Sequence, residues 1–548
     1  MEAYRLLDEA IPWLARNVEA ELHKFDPSTG RFLEGGMWGL NNQHIMLPMA
    51  VLLLKEHPGN KFYRDEAFAE IACRACDALR DFQYPDGKWE FVKVDGSRWG
   101  PFYLPWGFYY WLETYRKLKP ILSDKRRTYW EDGLQLAYAG MREELDRLTE
   151  VHNIPTWQAM GLHRAAQLFG RPEWKESADR IIAMTVNGQE PEGYWLEHHG
   201  PTPFYNLIYT NALGLYYYHG GAVDVLPALE RAAGFHNLFT YPDGTTVETI
   251  DGRFKYLRTP NPEGLLPFLP VPGGRRYVHY VVKQAIAQNA GWINACFAET
   301  LYYWDADVAR PDAPALVERE RIEARAARAL IVKEDGWFVC LSGFVSPVVE
   351  SRWGLDRGSF IGVWHERTRL LVGGGNSKGQ KEWCTFELTT AAGECRLIPD
   401  AGVVHDDRRA VTLAYDSRKF DIALEKRSAG ELRLEAAVSL SEGDAAVWRL
   451  PLRLRLNGGA LESSVASAQP VTAADIRLEA ADAGEHWLRQ DDWELRFAGP
   501  FRLEWPSYPF NPYAADGAAD ISFAIAVLTL PFAAAASRTV TIAITAAP

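Results

Sequence analysis

Cysteine is scarce in this sequence, and its pattern excludes several kinds of site. The 548 residues contain six cysteines, which are scattered along the chain. Cys73 and Cys76 form a lone C-x-x-C within a helical pattern, with no second pair at the spacing of a zinc site. We therefore expect buried free thiols, a reducing compartment and no bound metal.

Two further absences bear on location. The N-terminal segment MEAYRLLDEAIPWLARNVEAEL has no basic n-region, no unbroken apolar h-region and no cleavage site, so it differs from a signal peptide. No apolar stretch reaches the length of a membrane span, which is about 20 residues. The sequence thus predicts a cytoplasmic protein without a membrane partner.

Positive charge is also in deficit. Lys and Arg number 59 against 72 Asp and Glu, which gives a formal net charge of −13. Nucleic acids and anionic membranes both attract basic surfaces, so neither is expected as the main partner. The sequence has no P-loop, no G-x-G-x-x-G in a βαβ setting, no H-E-x-x-H and no G-x-S-x-G. We therefore expect no cofactor.

Aromatic residues, by contrast, are abundant, with 20 Trp, 24 Tyr and 25 Phe. A large hydrophobic core accounts for most of them. Some rings would also suit a sugar-binding cleft, because they offer flat apolar faces with polar edges.

The periodicity of the sequence changes near residues 310–330. Before this point apolar residues recur at intervals of three and four, as in YWEDGLQLAYAGMREELDRL, and predict about ten or eleven helices. After it, short alternating segments such as RLEAAVSL and TVTIAITA predict an antiparallel β-sandwich. We predict a helical catalytic domain over residues 1–312, a charged linker helix over 313–330 and a β-sandwich domain over 331–548.

A short motif repeats within the helical half. FQYPDGKW and GQEPEGYW both fit Q-x-x-x-G-x-W, with Gln83, Gly87 and Trp89 in the first copy. A recurring helix-and-loop unit indicates a repeated hairpin of helices. Such hairpins close naturally into an α/α toroid, either incomplete or built of six hairpins, and an open solenoid is the alternative.

Polar and aromatic side chains gather where two of the predicted helices begin. They are Trp38, Asn42 and His44 in GGMWGLNNQHIMLPMA, and His152, Asn153 and Trp157 in EVHNIPTWQAMG. Either Asn41 or Asn42 fits the role of a helix N-cap at the first of these starts, and Asn153 fits it at the second. At the mouth of a toroid the same positions suit substrate contact, and the pair His152 and Asn153 could hold an oxyanion.

A third cluster, EHHGPTPFYNLIY, runs from a loop into a helix. Glu197, His198 and His199 lie in the loop, and Tyr205 and Tyr209 share one face of the helix. Core packing would explain the tyrosines, and loop hydrogen bonds would explain the histidines. A zinc site is disfavoured because no third ligand is suitably spaced. The first copy of the repeat is followed by the unrelated EFVKVDGSRWG, which favours a specific function for the second.

The segment YPDGTTVETIDGRFKYLRTPNPEG lacks helical periodicity. It offers two carboxylates, Glu248 and Asp251, and two arginines, Arg253 and Arg258. A guanidinium group binds a carboxylate through two hydrogen bonds, so both arginines are candidates for binding an acidic sugar.

Taken together, these features resemble the heparinase II/III-like and alginate-lyase-like polysaccharide lyases, in which a helical toroid precedes a β-sandwich. GYWLEHHGPTPFYNLIY is similar to their acid-rich loop that runs into a helix beginning with Tyr. YPDGTTVETIDGR resembles the loop after the next helix, and GSFIGVWHERTRLLVGGGNS resembles an early part of their β domain. One departure is that Asn206 follows Tyr205, where the heparinase-like pattern usually has His.

The resemblance implies cleavage of a uronic-acid glycan by β-elimination. Asn153, helped by His152 or an arginine, would neutralise the sugar carboxylate. Tyr205 would serve as base, acid or both, with His198 or His199 as the competing base. The expected sugar platforms are Trp38, Trp89, Tyr103, Trp106 and Trp157, and the other expected substrate contacts are Asn42, His44, Glu197, Tyr209, Arg253 and Arg258.

A cytoplasmic lyase would meet imported acidic oligosaccharides instead of intact polymer. The nearest alternative is a toroid glycoside hydrolase acting on unsaturated uronyl oligosaccharides, with Glu197, Glu248 and Asp251 as candidate carboxylates. A triterpene-cyclase-like toroid shares Q-x-x-x-G-x-W, but the D-x-D-D acid motif is absent here. A non-catalytic carbohydrate-binding protein is a further alternative.

Overall fold

A computed structural model of the chain describes residues 6–92, 96–253, 257–290, 295–304, 314–532 and 537–545. The chain divides into two compact units. The helical unit comprises Met1–Gly193, Tyr205–Gly234 and Thr259–Ala315, and the strand unit comprises Tyr194–Phe204, Phe235–Arg258 and Leu316–Pro548. Two short segments from the helical half of the sequence therefore belong to the strand unit.

Over the described ranges, the helical half contains eleven α-helices, in agreement with the number that periodicity predicts. They are α1 (Leu6–Glu21), α2 (Met46–Leu54), α3 (Glu66–Asp81), α4 (Pro105–Leu118), α5 (Asp124–Leu145), α6 (Asn153–Phe169), α7 (Pro172–Asn187), α8 (Pro203–Tyr218), α9 (Leu226–Leu238), α10 (Gly274–Ala287) and α11 (Ala295–Tyr303). Two hairpins accompany them, β1 (Phe25–Asp26) with β2 (Arg31–Phe32), and β3 (Trp89–Val92) with β4 (Arg98–Phe102). Asp65 and Ser123 cap α3 and α5 through their side chains.

The helices of the helical unit close into a ring. α2 packs against α4 and α4 against α6, while α3 packs against α5 and α5 against α7. Each of these helices thus contacts the next helix but one in the sequence, as expected when helix hairpins lie side by side. α11 packs against both α1 and α2, so the last described helix returns to the first. An open solenoid would leave its ends apart, and the predicted toroid is therefore confirmed.

The Q-x-x-x-G-x-W loops tie helices of the ring together. Gln83 Nε2 donates to the carbonyl oxygens of Gly87 at 2.9 Å and Gly133 at 3.0 Å, which joins the loop after α3 to α5. In the second copy, Gln189 Nε2 donates to the carbonyl oxygen of Ala228 at 2.9 Å, which joins the loop after α7 to α9. The repeated motif is therefore a structural device of the toroid.

Within its described residues, the strand unit contains two antiparallel sheets, of eleven and eight strands. The larger sheet contains β5 (Ile322–Ala326), β6 (Ala329–Glu334), β7 (Trp337–Ser342), β8 (Ile361–His365), β9 (Arg369–Val372), β10 (Phe386–Thr389), β11 (Cys395–Arg396), β16 (Ala445–Leu452), β18 (Ile476–Ala480), β21 (Phe501–Ser507) and β22 (Ile525–Pro531). The smaller sheet contains β12 (Ala401–Val404), β13 (Ala410–Tyr415), β14 (Arg418–Ser428), β15 (Glu431–Ser439), β17 (Glu462–Ser463), β19 (Glu485–Gln490), β20 (Trp493–Ala498) and β23 (Ser537–Ile544).

The strand order of the larger sheet is β18-β21-β22-β16-β9-β8-β7-β6-β5, with β10 joining β16 and β11 joining β10. The order of the smaller sheet is β12-β13-β14-β15-β23-β20-β19-β17. One hydrophobic core includes residues of both sheets, among them Val339, Trp448, Ile422, Leu434 and Leu495. β14 and β15 largely alternate buried and more exposed positions, as expected of a sheet covered on one face. The predicted antiparallel β-sandwich is confirmed.

The larger sheet also packs against the segment that follows α9. Phe239, Tyr241 and Val247 form a second cluster with Phe338 of β7 and Trp364 of β8. All six residues of β7 are buried, since the strand has apolar neighbours on both faces. This packing explains why the segment belongs to the strand unit.

The linker helix predicted over residues 313–330 is wrong. Residue 313 lies outside the described residues, and the chain then makes a short 3-10 turn at Leu316–Glu318 before β5 and β6. Ala, Arg and Glu favour helices, but Ala329 and Ile331 on β6 lie in the second buried cluster. Burial in a sheet therefore overrides the intrinsic propensity of these residues.

All six cysteines are free, and five of them are buried, as expected, while Cys395 is exposed. Of the helices in the described ranges, none has both the length and the apolar composition that crossing a membrane requires.

Candidate active site

The start of α8 presents an accessible tyrosine. Tyr205 lies in the first turn of this helix and is half-buried. Tyr209, one turn later, is buried in the core. Trp157 Nε1 donates to the carbonyl oxygen of Ile208 at 2.7 Å, which holds α8 against α6. Of the two predicted tyrosines, Tyr205 is therefore the more exposed.

At the start of α6, the N-cap is His152 instead of Asn153. The backbone N–H of Ile154 donates to His152 Nδ1 at 3.3 Å. Desolvation by the surrounding protein lowers the pKa of His152, so its ring is neutral at neutral pH. Asn153 is 7% exposed and hydrogen-bonds to His152. The two side chains form one polar pair at a helix N-terminus, where the helix dipole favours negative charge.

Four of the five expected sugar platforms are buried, and three of these pack in the core of the helical unit as follows. Trp89, Tyr103 and Trp157 are all buried. Trp89 stacks on Phe108 with ring centroids 3.7 Å apart, and Tyr103 OH donates to the carbonyl oxygen of Asp86 at 2.9 Å. The structure assigns these rings to packing, because none has an exposed face for a sugar.

The segment between β2 and α2 contains Trp38, Asn42 and His44. Trp38 is buried, with the Arg31 guanidinium 4.4 Å from its ring centroid. Asn42 Nδ2 donates to the carbonyl oxygen of Phe32 at 3.0 Å, so this amide holds the loop and does not cap a helix. Asn42 and His44 line a cavity of about 290 Å³. Burial lowers the pKa of His44 to about 3, so a neutral imidazole borders that cavity.

The sequence predictions did not include Trp99, which is the most exposed Trp, Tyr or Phe side chain in the described ranges. Trp99 on β4 is 56% exposed, and its ring centroid lies 4.9 Å from that of Phe91. Gly96 and Gly100 beside it have φ angles of 79° and 94°. In the sequence, these two glycines could have indicated a tight hairpin, and hence an exposed position for the tryptophan between them. Trp106, the remaining expected platform, is half-buried.

In the strand unit, residues 197–200 form a tight turn with two histidines at its corners. The Glu197 N–H donates to the carbonyl oxygen of Gly200 at 2.9 Å, and His198 and His199 have φ angles of 50° and 67°. Two successive left-handed residues define a type I′ turn, in which Asn and Gly are the usual occupants. Each left-handed non-glycine residue costs about 1–3 kcal/mol, and such strain clusters at functional sites.

The two histidines of this turn have different environments. Arg253 Nη1 donates to His198 Nε2 at 2.9 Å, so that nitrogen is an acceptor. Burial, followed by the positive charge of Arg253, lowers the pKa of His198 to about 4. His199 is exposed, and its ring makes no hydrogen bond with the described residues. Of the pair, His199 is the more exposed imidazole.

Arg253 binds side chains of the turn at residues 197–200. In addition to its bond with His198, its Nη1 lies 3.7 Å from Glu197 Oε1, and its backbone N–H donates to Asp251 Oδ1 at 2.7 Å. Burial raises the pKa of Glu197, and the Arg253 charge opposes that effect. Arg258 is exposed. Of the two arginines predicted to bind a carboxylate, Arg258 is the more accessible.

Two of the carboxylates that a hydrolase would use are buried. Glu248 accepts hydrogen bonds from Tyr241 OH at 3.0 Å and from Gly374 N at 3.2 Å, and Asp251 is also buried. A hydrolytic pair must flank the glycosidic bond, which buried carboxylates cannot do. Within the described residues, no three His, Cys, Asp or Glu side chains converge as ligands of a metal ion.

The fold is that of known polysaccharide lyases. A xanthan lyase from Paenibacillus matches with a TM-score of 0.56 at 10% identity, over 99% of this chain and 57% of that chain. A chondroitin AC lyase from Streptomyces coelicolor A3, solved with chondroitin sulphate, gives 0.56 at 11% identity, over 100% of this chain and 80% of that chain. A heparinase III gives 0.52 at 12% identity, over 93% of this chain and 78% of that chain.

These similarities confirm the expected resemblance to lyases built from a toroid and a β-sandwich. At 10–12% identity they establish the fold alone, and this chain spans only 57% of the xanthan lyase. No protein-family model matches the sequence, and no curated protein does.

Proposed function

We propose that this protein is a polysaccharide lyase that cleaves a uronic-acid-containing glycan by β-elimination. The fold that it shares with such lyases supports the proposal. The observation that carries it is the strained turn at His198 and His199, followed closely in the sequence by the accessible Tyr205 on the first turn of α8.

β-Elimination requires three events at one sugar. The C6 carboxylate is neutralised, so that the C5 proton becomes acidic, and a base removes that proton. The C4–O4 bond then breaks as the C4=C5 double bond forms, and an acid protonates O4. Asn153 and His152 are the proposed partners of the carboxylate, because the N-terminus of α6 favours a negative charge at that position.

Tyr205 is the proposed base and acid. Its phenolate would take the C5 proton, and the resulting phenol would return a proton to O4, so that the side chain is regenerated. His199 is the competing base, because its imidazole is exposed and an imidazole can act as a general base.

Replacement of Tyr205 tests this assignment directly. Tyr205→Phe removes the ionisable hydroxyl and is expected to lower kcat by about a hundredfold or more. The matched control is Tyr217→Phe, since Tyr217 is also half-buried but lies at the other end of α8. The measurement is the ultraviolet absorbance of the conjugated double bond that elimination creates. A larger loss in His199→Ala than in Tyr205→Phe would transfer the role of base to His199.

Two outcomes contradict parts of the proposal. New reducing ends without ultraviolet absorbance would show hydrolysis and exclude the lyase. If a confirmed substrate is eliminated at the wild-type rate by both Tyr205→Phe and His199→Ala, the site assignment is wrong although the reaction stands.

The substrate is proposed only as a class, acidic oligosaccharides that contain a uronic acid. A suitable panel contains matched oligosaccharides and polymers of chondroitin sulphate, heparin, xanthan, alginate and polygalacturonate. Faster elimination of the oligosaccharides than of the polymers would agree with the expectation of imported substrates. Faster elimination of the polymers would contradict it.

A further inference from the structure

A buried arginine of the strand unit binds both segments that surround the histidine turn. Arg357 is 4% exposed and lies just before β8. Its Nη2 donates to the carbonyl oxygen of Pro201 at 2.8 Å, and its Nη1 donates to that of Ile250. One guanidinium therefore joins the residues after the turn to the residues before Arg253.

The fit around this guanidinium is close. A Cβ atom at Gly200 would lie 2.7 Å from Arg357 Nη2, and one at Gly252 would lie 2.5 Å from it. The Phe344 ring centroid is 4.9 Å from the guanidinium carbon. The absence of a Cβ at both glycines leaves room for the guanidinium. Lysine lacks the two-pronged geometry that reaches both carbonyls.

Asn376 provides a second link from the sandwich to the same region. Its Oδ1 accepts from the Ser359 N–H at 3.0 Å. Its Nδ2 donates to the carbonyl oxygens of Thr249 at 3.3 Å and Asp251 at 2.8 Å. Asp251 in turn holds the backbone of Arg253, whose side chain binds His198. A continuous series of hydrogen bonds thus runs from the sandwich to the histidine turn.

We propose that Arg357 is a positioning residue for the elimination reaction, because it sets the turn that carries His198 and His199. It does so through the two carbonyl oxygens that it binds, without touching the substrate. This inference rests on the proposed function. It assigns a role in the reaction to the β-sandwich, whose residues the sequence did not place in the site.

Charge is the second part of this role. The charged and titratable groups around His198 are Arg253, His199, Arg357, Lys378 and Glu197, whose Oε1 lies 3.7 Å from His198 Nε2. The cationic groups all oppose protonation of His198. Arg357 therefore contributes to keeping His198 neutral, so that its Nε2 can accept from Arg253.

Three variants separate geometry from charge. Arg357→Lys keeps the charge but loses the paired donors, and Arg357→Met loses both. Gly252→Ala leaves the arginine in place but adds a Cβ atom that crowds its guanidinium group. We expect each to lower kcat by about a hundredfold with little change in KM, as small displacements of catalytic groups do. Arg538→Met is the matched control, since Arg538 is also buried and donates to a carbonyl oxygen, that of Pro500 at 2.7 Å.

The titration of His198 reports the charge at residue 357, and Arg357→Lys, which loses the geometry but keeps the charge, controls for loosened packing around the ring. In nuclear magnetic resonance of histidine-labelled protein, with signals assigned through His198→Gln, Arg357→Met should raise the His198 pKa. Arg357→Lys and Arg538→Met should leave it near the wild-type value. Wild-type kcat in folded Arg357→Met and Gly252→Ala, or activity lost only in proportion to the unfolded fraction, would overturn the positioning role.

The two proposals fail in distinguishable ways. If the wild-type protein catalyses β-elimination of no acidic oligosaccharide, the proposed function is wrong. Arg357 then has no role in such a reaction. If the wild-type protein is active but the His198 pKa and kcat are both unchanged in Arg357→Met, only the positioning role is wrong. A raised His198 pKa together with a reduced kcat supports both.

Discussion

At the scale of single residues, Glu248 ties the stability of the strand unit to pH. Its carboxyl is buried against Tyr241 and Gly374, and burial raises its pKa from 4.5 to about 7. Because the pKa is higher in the folded state, the protonated carboxyl stabilises the fold. This contribution is complete below the unfolded pKa and is lost as pH rises through about 7.

Glu248→Gln should remove that dependence on pH. Between about pH 4 and pH 8, the free energy of unfolding of the variant should rise relative to that of the wild type by up to about 3 kcal/mol. Urea unfolding at a series of pH values measures this difference. Glu485→Gln, at an exposed position, is the control. Parallel curves for Glu248→Gln and the wild type would contradict the assignment.

Glu113 is the corresponding buried charge in the helical unit. Its carboxylate is fully buried and accepts from Lys117 Nζ at 2.8 Å, Arg164 Nε at 2.7 Å and Arg116 Nε at 3.0 Å. These cations hold its pKa well below the usual range, in opposition to the desolvation that burial imposes. Removal of the carboxylate would leave buried cations without a counter-charge.

Glu113→Ala is therefore expected to destabilise the helical unit by about 3–5 kcal/mol. Denaturation followed by far-ultraviolet circular dichroism measures this effect, because the signal reports the helices. Glu70→Ala serves for comparison, since the pair of Glu70 with Arg126 is more exposed and should contribute about 1 kcal/mol or less. Equal losses in the two variants would disprove the importance of the buried cluster.

The candidate site was predictable at this scale only in part. The sequence indicated His198, His199, Tyr205 and Asn153, because polar groups at helix starts can be recognised from a pattern. It could not indicate that Arg253 binds His198, since the two residues are 55 positions apart. Nor did it predict the left-handed backbone of the histidines, because residues other than Asn and Gly are unusual in such a turn.

At the scale of elements, Gly87 shows why the Q-x-x-x-G-x-W loop needs its glycine. Its φ angle is 86°, and a Cβ atom there would lie 3.0 Å from the Cα atom of Ala137 on α5. Gly87→Ala should lower the free energy of unfolding through both backbone strain and crowding, with crowding alone worth about 1–3 kcal/mol. The measurement is thermal or denaturant unfolding of the full chain.

The control for Gly87 separates those two effects. Gly220 has a φ angle of 67°, but a Cβ atom there would have no neighbour within 4 Å. Gly220→Ala should therefore show only the cost of strain, about 1 kcal/mol. If Gly87→Ala destabilises the protein no more than Gly220→Ala does, the contact between the loop and α5 is unimportant.

The elements themselves were largely predictable. Periodicity identified the helices and most of the strands, because the helical period of 3.6 and the strand period of 2 differ clearly. It failed from Ala315 to Leu330, where Ala, Arg and Glu suggest a helix but β5 and β6 form a hairpin. The apolar cluster that contains Ala329 and Ile331 favours the hairpin over the helix. A local pattern does not show this, because the cluster also includes residues that are far away in the sequence.

At the scale of the whole molecule, the chain does not divide at a single point. Tyr194–Phe204 and Phe235–Arg258 precede the strands of the sandwich but belong to the same compact unit. A boundary drawn from a change in periodicity cannot reveal this, because periodicity reports local structure. These two segments belong to the strand unit because their apolar residues are buried there. An example is the packing of Phe239 and Val247 against the larger sheet.

This arrangement has a consequence for synthesis. A ribosome releases the histidine turn well before Arg357 and Asn376, which hold its surroundings in place. Domains of a nascent chain usually fold as units from the N-terminus onward. Here the turn at residues 197–200 must wait for the first strands of the sandwich, so the newborn protein gains its arranged histidines only after most of the chain has emerged.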